Sequence, residues 1–129
     1  MEYSFIQKYT FEDRKNEADK ICTKHPDRAP IILEKLSNTS ITDILKKKFL
    51  VPKDITLGQF IHILKNKNIV KLNEQQSLYI FMDNNTIPTV STLISELYNQ
   101  FKNEDGFLYL KYAGENTFGN KMINKNKIL

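Results

Sequence analysis

Apolar residues recur at helical spacing in four parts of the chain, and this pattern predicts four helices. The first is a short segment around residues 5–9. The second begins near Phe11 and ends before Pro26, because proline cannot continue a helix. The third follows Thr56, and the fourth covers residues 93–101. Thr10 with Asp13, and Thr56 with Gln59, have the spacing of N-terminal capping boxes. The apolar positions are Phe5, Ile6 and Tyr9; Phe11, Ala18, Ile21 and Cys22; Leu57, Phe60, Ile61, Ile63 and Leu64; and Leu93, Leu97, Tyr98 and Phe101.

Four short runs of β-branched, aliphatic or aromatic residues predict strands at 31–35, 49–51, 77–82 and 107–112. The element order is therefore α-α-β-β-α-β-α-β. A four-stranded sheet with the amphipathic helices packed on its faces would bury every apolar stripe, which indicates a single α+β domain. The pattern alone does not give the order or the direction of the strands.

Composition places the chain among ordinary globular proteins. Its 129 residues are 40% apolar and 26% charged, and a chain of this length builds one sizeable core. The single cysteine, Cys22, excludes an internal disulfide and fits a reducing compartment. No apolar run approaches the roughly 18 residues of a spanning helix, and the N-terminus does not resemble a signal peptide. We therefore expect a cytoplasmic protein.

The basic charge is concentrated in one segment. The net charge is +4, but residues 46–71 hold seven lysines against Asp54 alone. This segment favours acidic partners, or it is a solvated face without a partner. One alternative for the function is a basic adaptor that is not conjugated to any other molecule and that binds tubulin or RNA through these lysines. However, neither stacking aromatics nor a known nucleic-acid module accompanies the lysines, so no nucleic acid is expected as a partner.

The sequence does not predict an enzyme. Cys22, His25 and His62 offer the residue types of a Cys-His pair, but Cys22 lies on a mostly charged helix and no third group is evident that would orient a base. Glycine patterns that cradle phosphates or dinucleotides are absent from the sequence. We expect no catalytic residue, no metal site and no resident cofactor.

Four residue strings carry a resemblance to a known family, namely KHPDRAPIILEK (24–35), KKKFLVPKDITLGQF (46–60), FMDNNTIP (81–88) and EDGFLYLKYAGENTFG (104–119). The chain resembles the autophagy-related ubiquitin-like modifiers, which are the GABARAP-like proteins. The resemblance implies a ubiquitin-like β-grasp with two extra N-terminal helices and a mixed four-stranded sheet. The first and last strands would be central in that sheet, and the second would be an exposed edge.

The resemblance also divides the chain and assigns a fate to its C-terminal part. Residues 1–119 would form one ubiquitin-like domain, made of an N-terminal helical extension (1–26), a β-grasp core (27–112) and a flexible leash (113–119). A cysteine protease would cut the bond between Gly119 and Asn120, after Phe118, and remove residues 120–129 as a propeptide. Activating and conjugating enzymes would then join Gly119 to phosphatidylethanolamine on the autophagosome membrane. A glycine suits this chemistry because it lacks Cβ and its carbonyl can enter a narrow cleft. The alternative is a frayed terminus.

The same resemblance implies that the second strand binds cargo receptors through aromatic-x-x-aliphatic motifs. Strand alternation sends Lys48 and Leu50 to one face, and Phe49 and Val51 to the other. We expect Phe49 and Leu50 to be partly exposed anchors. Phe60 and Phe107 either line the pockets or are ordinary residues of the core. The implied aromatic pocket is Glu17, Ile21, Pro30, Lys48, Leu50 and Phe107; the aliphatic pocket is Phe49, Val51, Pro52, Ile55, Phe60 and Ile63; and Arg28, Lys46 and Lys48 would contact an acidic flank.

The N-terminal residues Phe5, Ile6 and Tyr9 have two interpretations. They pack on the core of the domain, or they contribute to membrane association or to the choice of partner. Packing is the simpler account, since a helix of two turns is not stable without it.

Overall fold

A computed structural model describes residues 2–37, 41–73 and 75–116 of the chain. All eight predicted elements are present in the predicted order. The helices are α1 (Ser4–Lys8), α2 (Phe11–Lys24), α3 (Leu57–Asn66) and α4 (Ile94–Phe101). The strands are β1 (Arg28–Lys35), β2 (Lys48–Pro52), β3 (Gln76–Phe81) and β4 (Leu108–Asn116).

Side-chain caps fix the starts of the two helices for which the sequence predicts them. The Thr10 hydroxyl accepts a hydrogen bond from the Asp13 amide at 3.1 Å, which satisfies one of the free donors at the start of α2. At the start of α3, Thr56 and Gln59 form a complete capping box. The predicted capping box is therefore confirmed at α3, whereas at α2 only the Thr10 half of the box is formed.

The four strands form one mixed sheet in the order β2-β1-β4-β3. β1 and β4 run parallel at the centre, with Ile31 opposite Leu108, while β2 and β3 each pair antiparallel with a central strand. This is the topology that the resemblance implied, with β2 at an edge. The ubiquitin-like fold and the two N-terminal helices are confirmed.

Alternation along the central strands builds a core on both faces of the sheet. One face carries Ile31 and Leu33 of β1 and Leu110 of β4, and it packs against α3 and α4. The other face carries Ile32 and Tyr109, with Ala18 of α2 and the apolar residues of α1. Four tyrosines are buried in these cores, namely Tyr3, Tyr98, Tyr109 and Tyr112.

β4 is longer than the sequence pattern predicts. The expected leash began at residue 113, but Ala113 and Gly114 are buried and pair with Tyr79 and Leu78 of β3. Small side chains are needed here, because a Cβ on Gly114 would lie 2.6 Å from a methyl carbon of Ile41. The strand therefore continues to Asn116, and the leash boundary at 113 is wrong.

The buried face of α2 also differs from the predicted stripe. Phe11 is 48% exposed, whereas Arg14, a charged residue, is buried together with Ala18. Among the described residues, no helix combines the length and the apolar character needed to cross a membrane. The same part of the chain contains no cluster of side chains that could hold a metal ion.

Candidate functional site

The outer edge of β2 presents backbone groups to solvent. The Leu33 amide donates to the Lys47 carbonyl at 2.8 Å, and the Lys53 amide donates to the Asp27 carbonyl at 3.0 Å. In an antiparallel ladder, alternate residues bond to the same neighbour, so residues 47, 49, 51 and 53 face β1. The peptide groups of Lys48 and Leu50 then point away from the sheet. No strand of the described ranges pairs with them on that side.

The side chains of β2 alternate between the two faces of the sheet, as predicted. Lys48 and Leu50 are half-buried on the face covered by α1 and α2. Phe49 and Val51 point to the other face and are only 8% and 3% exposed. The expectation that Phe49 is a partly exposed anchor is wrong, because α3 covers its ring: the centroids of Phe49 and Phe60 are 5.9 Å apart.

The predicted aliphatic pocket therefore has a buried floor and a partly open rim. Phe49, Val51 and Phe60 belong to the main apolar core, and Ile55 packs against it. The half-buried members, which are the ones a ligand can touch directly, are Pro52, Ile55 and Ile63.

The predicted aromatic pocket is closed in this structure. Phe107 is 0% exposed and Pro30 is also buried. The ammonium group of Lys48 forms an ion pair with the Glu17 carboxylate. The ring of Phe5, a residue that the sequence did not assign to the site, lies with its centroid 5.1 Å from that of Phe107. Partial burial also lowers the pKa of Lys48 from its usual value.

Two charged residues of the central strands hold the N-terminal segment against the sheet. Glu34 accepts hydrogen bonds from the Ser4 amide at 2.8 Å, the Ser4 hydroxyl at 3.0 Å and the Phe5 amide at 3.0 Å. Lys111 donates to the Glu2 carbonyl at 2.5 Å, and its ammonium lies 4.3 Å from the centroid of the Tyr3 ring. Glu34 and Lys111 are 5% and 7% exposed, and burial lowers the pKa of Lys111. We call these two residues the N-terminal clamp.

A buried ion pair fixes α2 beside the site. Arg14 donates to Asp105 at 2.5 Å, and the same carboxylate accepts from the Tyr109 hydroxyl at 2.6 Å and from the Phe107 amide at 2.8 Å. Burial raises the pKa of Tyr109, and its hydrogen bond to Asp105 raises it further. Burial alone would lower the pKa of Arg14, but hydrogen bonds with Tyr109 and Asp105 more than compensate, and the net shift is upward. The network sets the position of the α2 face that carries Glu17 and Ile21.

The three cations predicted to contact one acidic flank are divided along β2. Lys46 precedes the strand, and its ammonium lies 5.6 Å from the centroid of the Phe49 ring. Arg28 is paired with Pro52 at the other end, where its guanidinium donates to the Leu50 carbonyl at 3.3 Å. Lys46 and Lys48 thus lie at the beginning of β2, and Arg28 lies beside its end.

The predicted conjugation site lies outside the described residues, since these end at Asn116, before Phe118 and Gly119. Cys22 contacts an aromatic residue: its sulfur lies 3.5 Å from the hydroxyl oxygen of Tyr98, which in turn donates to the Gly106 carbonyl at 2.6 Å. This contact places Cys22 between α2 and α4 as a packing residue.

Comparisons with known proteins agree with the fold. The model of the family described as "Autophagy protein Atg8 ubiquitin like" matches residues 13–119. "Autophagy-related protein 8" of Mycosarcoma maydis is 45% identical over 119 residues, covering 92% of this chain and 98% of the relative. The protein of the same name from Schizosaccharomyces pombe is 44% identical over 119 residues, covering 92% and 96%. The crystal structure of Trypanosoma brucei ATG8 gives a TM-score of 0.83 at 40% identity and covers 92% of this chain and 100% of that one.

Proposed function

The chain belongs to the ubiquitin-like family of the autophagy protein Atg8, and on that basis we propose that it is a modifier that is cleaved after Gly119 and joined there to phosphatidylethanolamine. On the autophagosome membrane it recruits cargo receptors that carry aromatic-x-x-aliphatic motifs. The family's members are not themselves enzymes, so this chain is a substrate. Its partners are a processing cysteine protease, activating and conjugating enzymes, and receptor peptides. It is cytoplasmic before conjugation.

The observation that carries the peptide-binding proposal is the open edge of β2. A peptide strand that lies beside it receives main-chain hydrogen bonds from Lys48 and Leu50. The pleat of the strand separates two anchor positions on opposite faces. An aromatic anchor lies toward Lys48 and α2, and an aliphatic one lies toward Pro52, Ile55 and Ile63. Acidic residues before the aromatic anchor meet Lys46 and Lys48.

Isothermal titration calorimetry with an acidic aromatic-x-x-aliphatic peptide tests this site. Leu50→Ala is the informative variant, because the side chain is half-buried at the edge and its loss leaves the core intact. We expect affinity to fall about tenfold, which is typical of an interface anchor. Val90→Ala is the matched control, since Val90 is an aliphatic residue that is 59% exposed and does not belong to the proposed pockets. Equal affinities for the two variants contradict the proposed site.

A backbone-modified peptide separates strand pairing from simple apolar contact. N-methylation of one of the two residues between the anchors removes a main-chain donor but keeps both anchor side chains. Two peptides are compared, each methylated at one of the two amides. If the peptide adds a strand to β2, one of these amides donates to β2 and the other points away from it. Methylation of the donating amide then weakens binding more than methylation of the other. Identical binding of the two peptides excludes pairing with β2.

Intact mass spectrometry tests the conjugation proposal. The chain is incubated with the processing protease, the activating and conjugating enzymes, and liposomes that contain phosphatidylethanolamine. The expected products have lost residues 120–129 and then gained the mass of the lipid minus water. Gly119→Ala prevents lipid attachment, whereas Asn120→Ala, on the discarded side of the bond, leaves it intact. Cleavage at any other bond contradicts the assignment of Gly119.

A further inference from the structure

Phe5 lies against residues of the aromatic pocket. Its ring centroid is 5.1 Å from that of Phe107, in an edge-to-face arrangement, and 6.4 Å from that of Tyr109. The ammonium of Lys48 lies 5.8 Å from the Phe5 ring centroid. An aromatic side chain of this protein therefore makes the ring and cation contacts that the proposed pocket would offer to an aromatic residue of a peptide.

Access to the pocket is blocked while Phe5 stays in place. Phe107 is 0% exposed, so an incoming ring cannot touch it until a covering group moves. The partly exposed side chains that pack against its cluster are Phe5, Ile6 and Ile21, and the ion pair between Lys48 and Glu17 lies beside the Phe5 ring. The ion pair joins two side chains that are each more than a third exposed, and such pairs contribute little to stability. Phe5 is therefore the more consequential barrier.

The N-terminal clamp is what keeps Phe5 in place. α1 has only five residues and no fully buried one, and a helix of this length does not form by itself in water. Glu34 accepts hydrogen bonds from the Ser4 and Phe5 amides at the start of α1, and its negative charge is also favourable at a helix N-terminus. Tyr3, which is 2% exposed, and Lys111 anchor the preceding residues. Docking of Phe5 thus depends on a small set of polar contacts, most of which meet at one carboxylate.

We infer that Phe5 is an intramolecular occupant of the aromatic pocket, held there by Glu34 and displaced by the aromatic residue of a bound peptide. This inference rests on the proposed peptide binding. It adds a competing ligand, which belongs to the chain itself, at the same site. The apparent association constant for a peptide is then the intrinsic constant multiplied by the fraction of molecules in which Phe5 has left the pocket.

Calorimetry on the full chain distinguishes an occupant from a permanent wall. With the same acidic aromatic-x-x-aliphatic peptide, Phe5→Ala raises affinity about three- to tenfold if Phe5 competes, as expected from the strength of aromatic pairs. Phe11→Ala is the matched control, because Phe11 is 48% exposed and its ring lies beside the guanidinium of Arg14. That variant leaves affinity unchanged. A loss or no change of affinity in Phe5→Ala overturns the inference.

The clamp gives a second, independent readout. Glu34→Gln also raises affinity, and combining it with Phe5→Ala gives no further gain, since both act by releasing the same ring. In the wild-type chain, a saturating peptide speeds hydrogen exchange at the Ser4 and Phe5 amides, which Glu34 otherwise protects. Slower or unchanged exchange at these amides overturns the inference, whatever the affinities. Thermal unfolding confirms that each variant is folded.

The failure of this inference is distinguishable from that of the proposed function. If the wild type and Phe5→Ala both fail to bind the peptide while remaining folded, the proposed peptide site is wrong and the inference falls with it. If the wild type binds and Phe5→Ala binds less tightly, the peptide site stands, and Phe5 is part of its wall.

Discussion

Asp105→Asn tests the buried network that fixes α2 beside the peptide site. The substitution keeps the shape of the side chain but removes its charge. Asp105 is 0% exposed and accepts hydrogen bonds from Arg14, Tyr109 and Phe107, so the change leaves the buried guanidinium of Arg14 without a counter-charge. Breaking a buried pair in this way costs about 3–5 kcal/mol. For 129 residues, unfolding entropies of about 2.1 cal/mol/K per residue convert this into a Tm lower by roughly 11–18 °C.

Differential scanning calorimetry at neutral pH measures the loss, and the chain offers a matched control. Lys15 and Asp19 form an ion pair at 2.8 Å with the same charges, but their side chains are 43% and 59% exposed. Asp19→Asn therefore costs at most about 0.5 kcal/mol, or roughly 2 °C. If Asp105→Asn lowers the Tm no more than Asp19→Asn does, burial does not make this pair structurally important and the reasoning fails.

Three further predictions follow from the same structure. Gly106→Ala lowers the free energy of unfolding by about 2–3 kcal/mol in urea titrations, because Gly106 has φ of +96° and a Cβ there would lie 2.8 Å from that of Ala18. Thr56→Ala removes the cap that receives the Gln59 amide, and we expect a loss of about 1 kcal/mol in the same assay. The protein loses stability as pH rises above about 10, because burial raises the pKa of the four buried tyrosines, so the unfolded chain releases their protons first. Each contributes up to about 1.4 kcal/mol per pH unit, and circular dichroism against pH measures the transition; constant stability between pH 9 and 11 contradicts it.

The sequence predicted every helix and strand because the apolar pattern and the local caps are short-range signals. The ends of the strands were harder to predict from the sequence. β1 begins at Arg28 although Pro30 interrupts the pattern, and this is possible because the nitrogen of Pro30 faces away from β2 and no hydrogen bond between the two strands is lost. β4 extends to Asn116 because β3 supplies a partner that no local pattern reveals.

The site was predictable only in part for a similar reason. The exposed edge and the two faces of β2 follow from the resemblance and from strand alternation. The N-terminal clamp and the Arg14–Asp105 pair join residues that are 29 to 109 positions apart, and such pairs leave no periodic signal. Two signs were available, namely Glu34 at the end of an apolar β-branched run and Lys111 within the apolar run 107–112. A buried charge implies a partner, although it does not say which one.

The central position of β4 determines when the newly synthesised chain can finish folding. β4 is the last strand in sequence, yet it lies between β1 and β3, so neither face of the sheet can close before residues 108–116 have been synthesised. The central β1–β4 pair also spans about 77 residues, and such long-range pairing is slow. Folding is therefore complete only once the residues directly before Gly119 exist. If Gly119 is processed as proposed, an enzyme that recognises the assembled sheet would act only on chains that have finished folding.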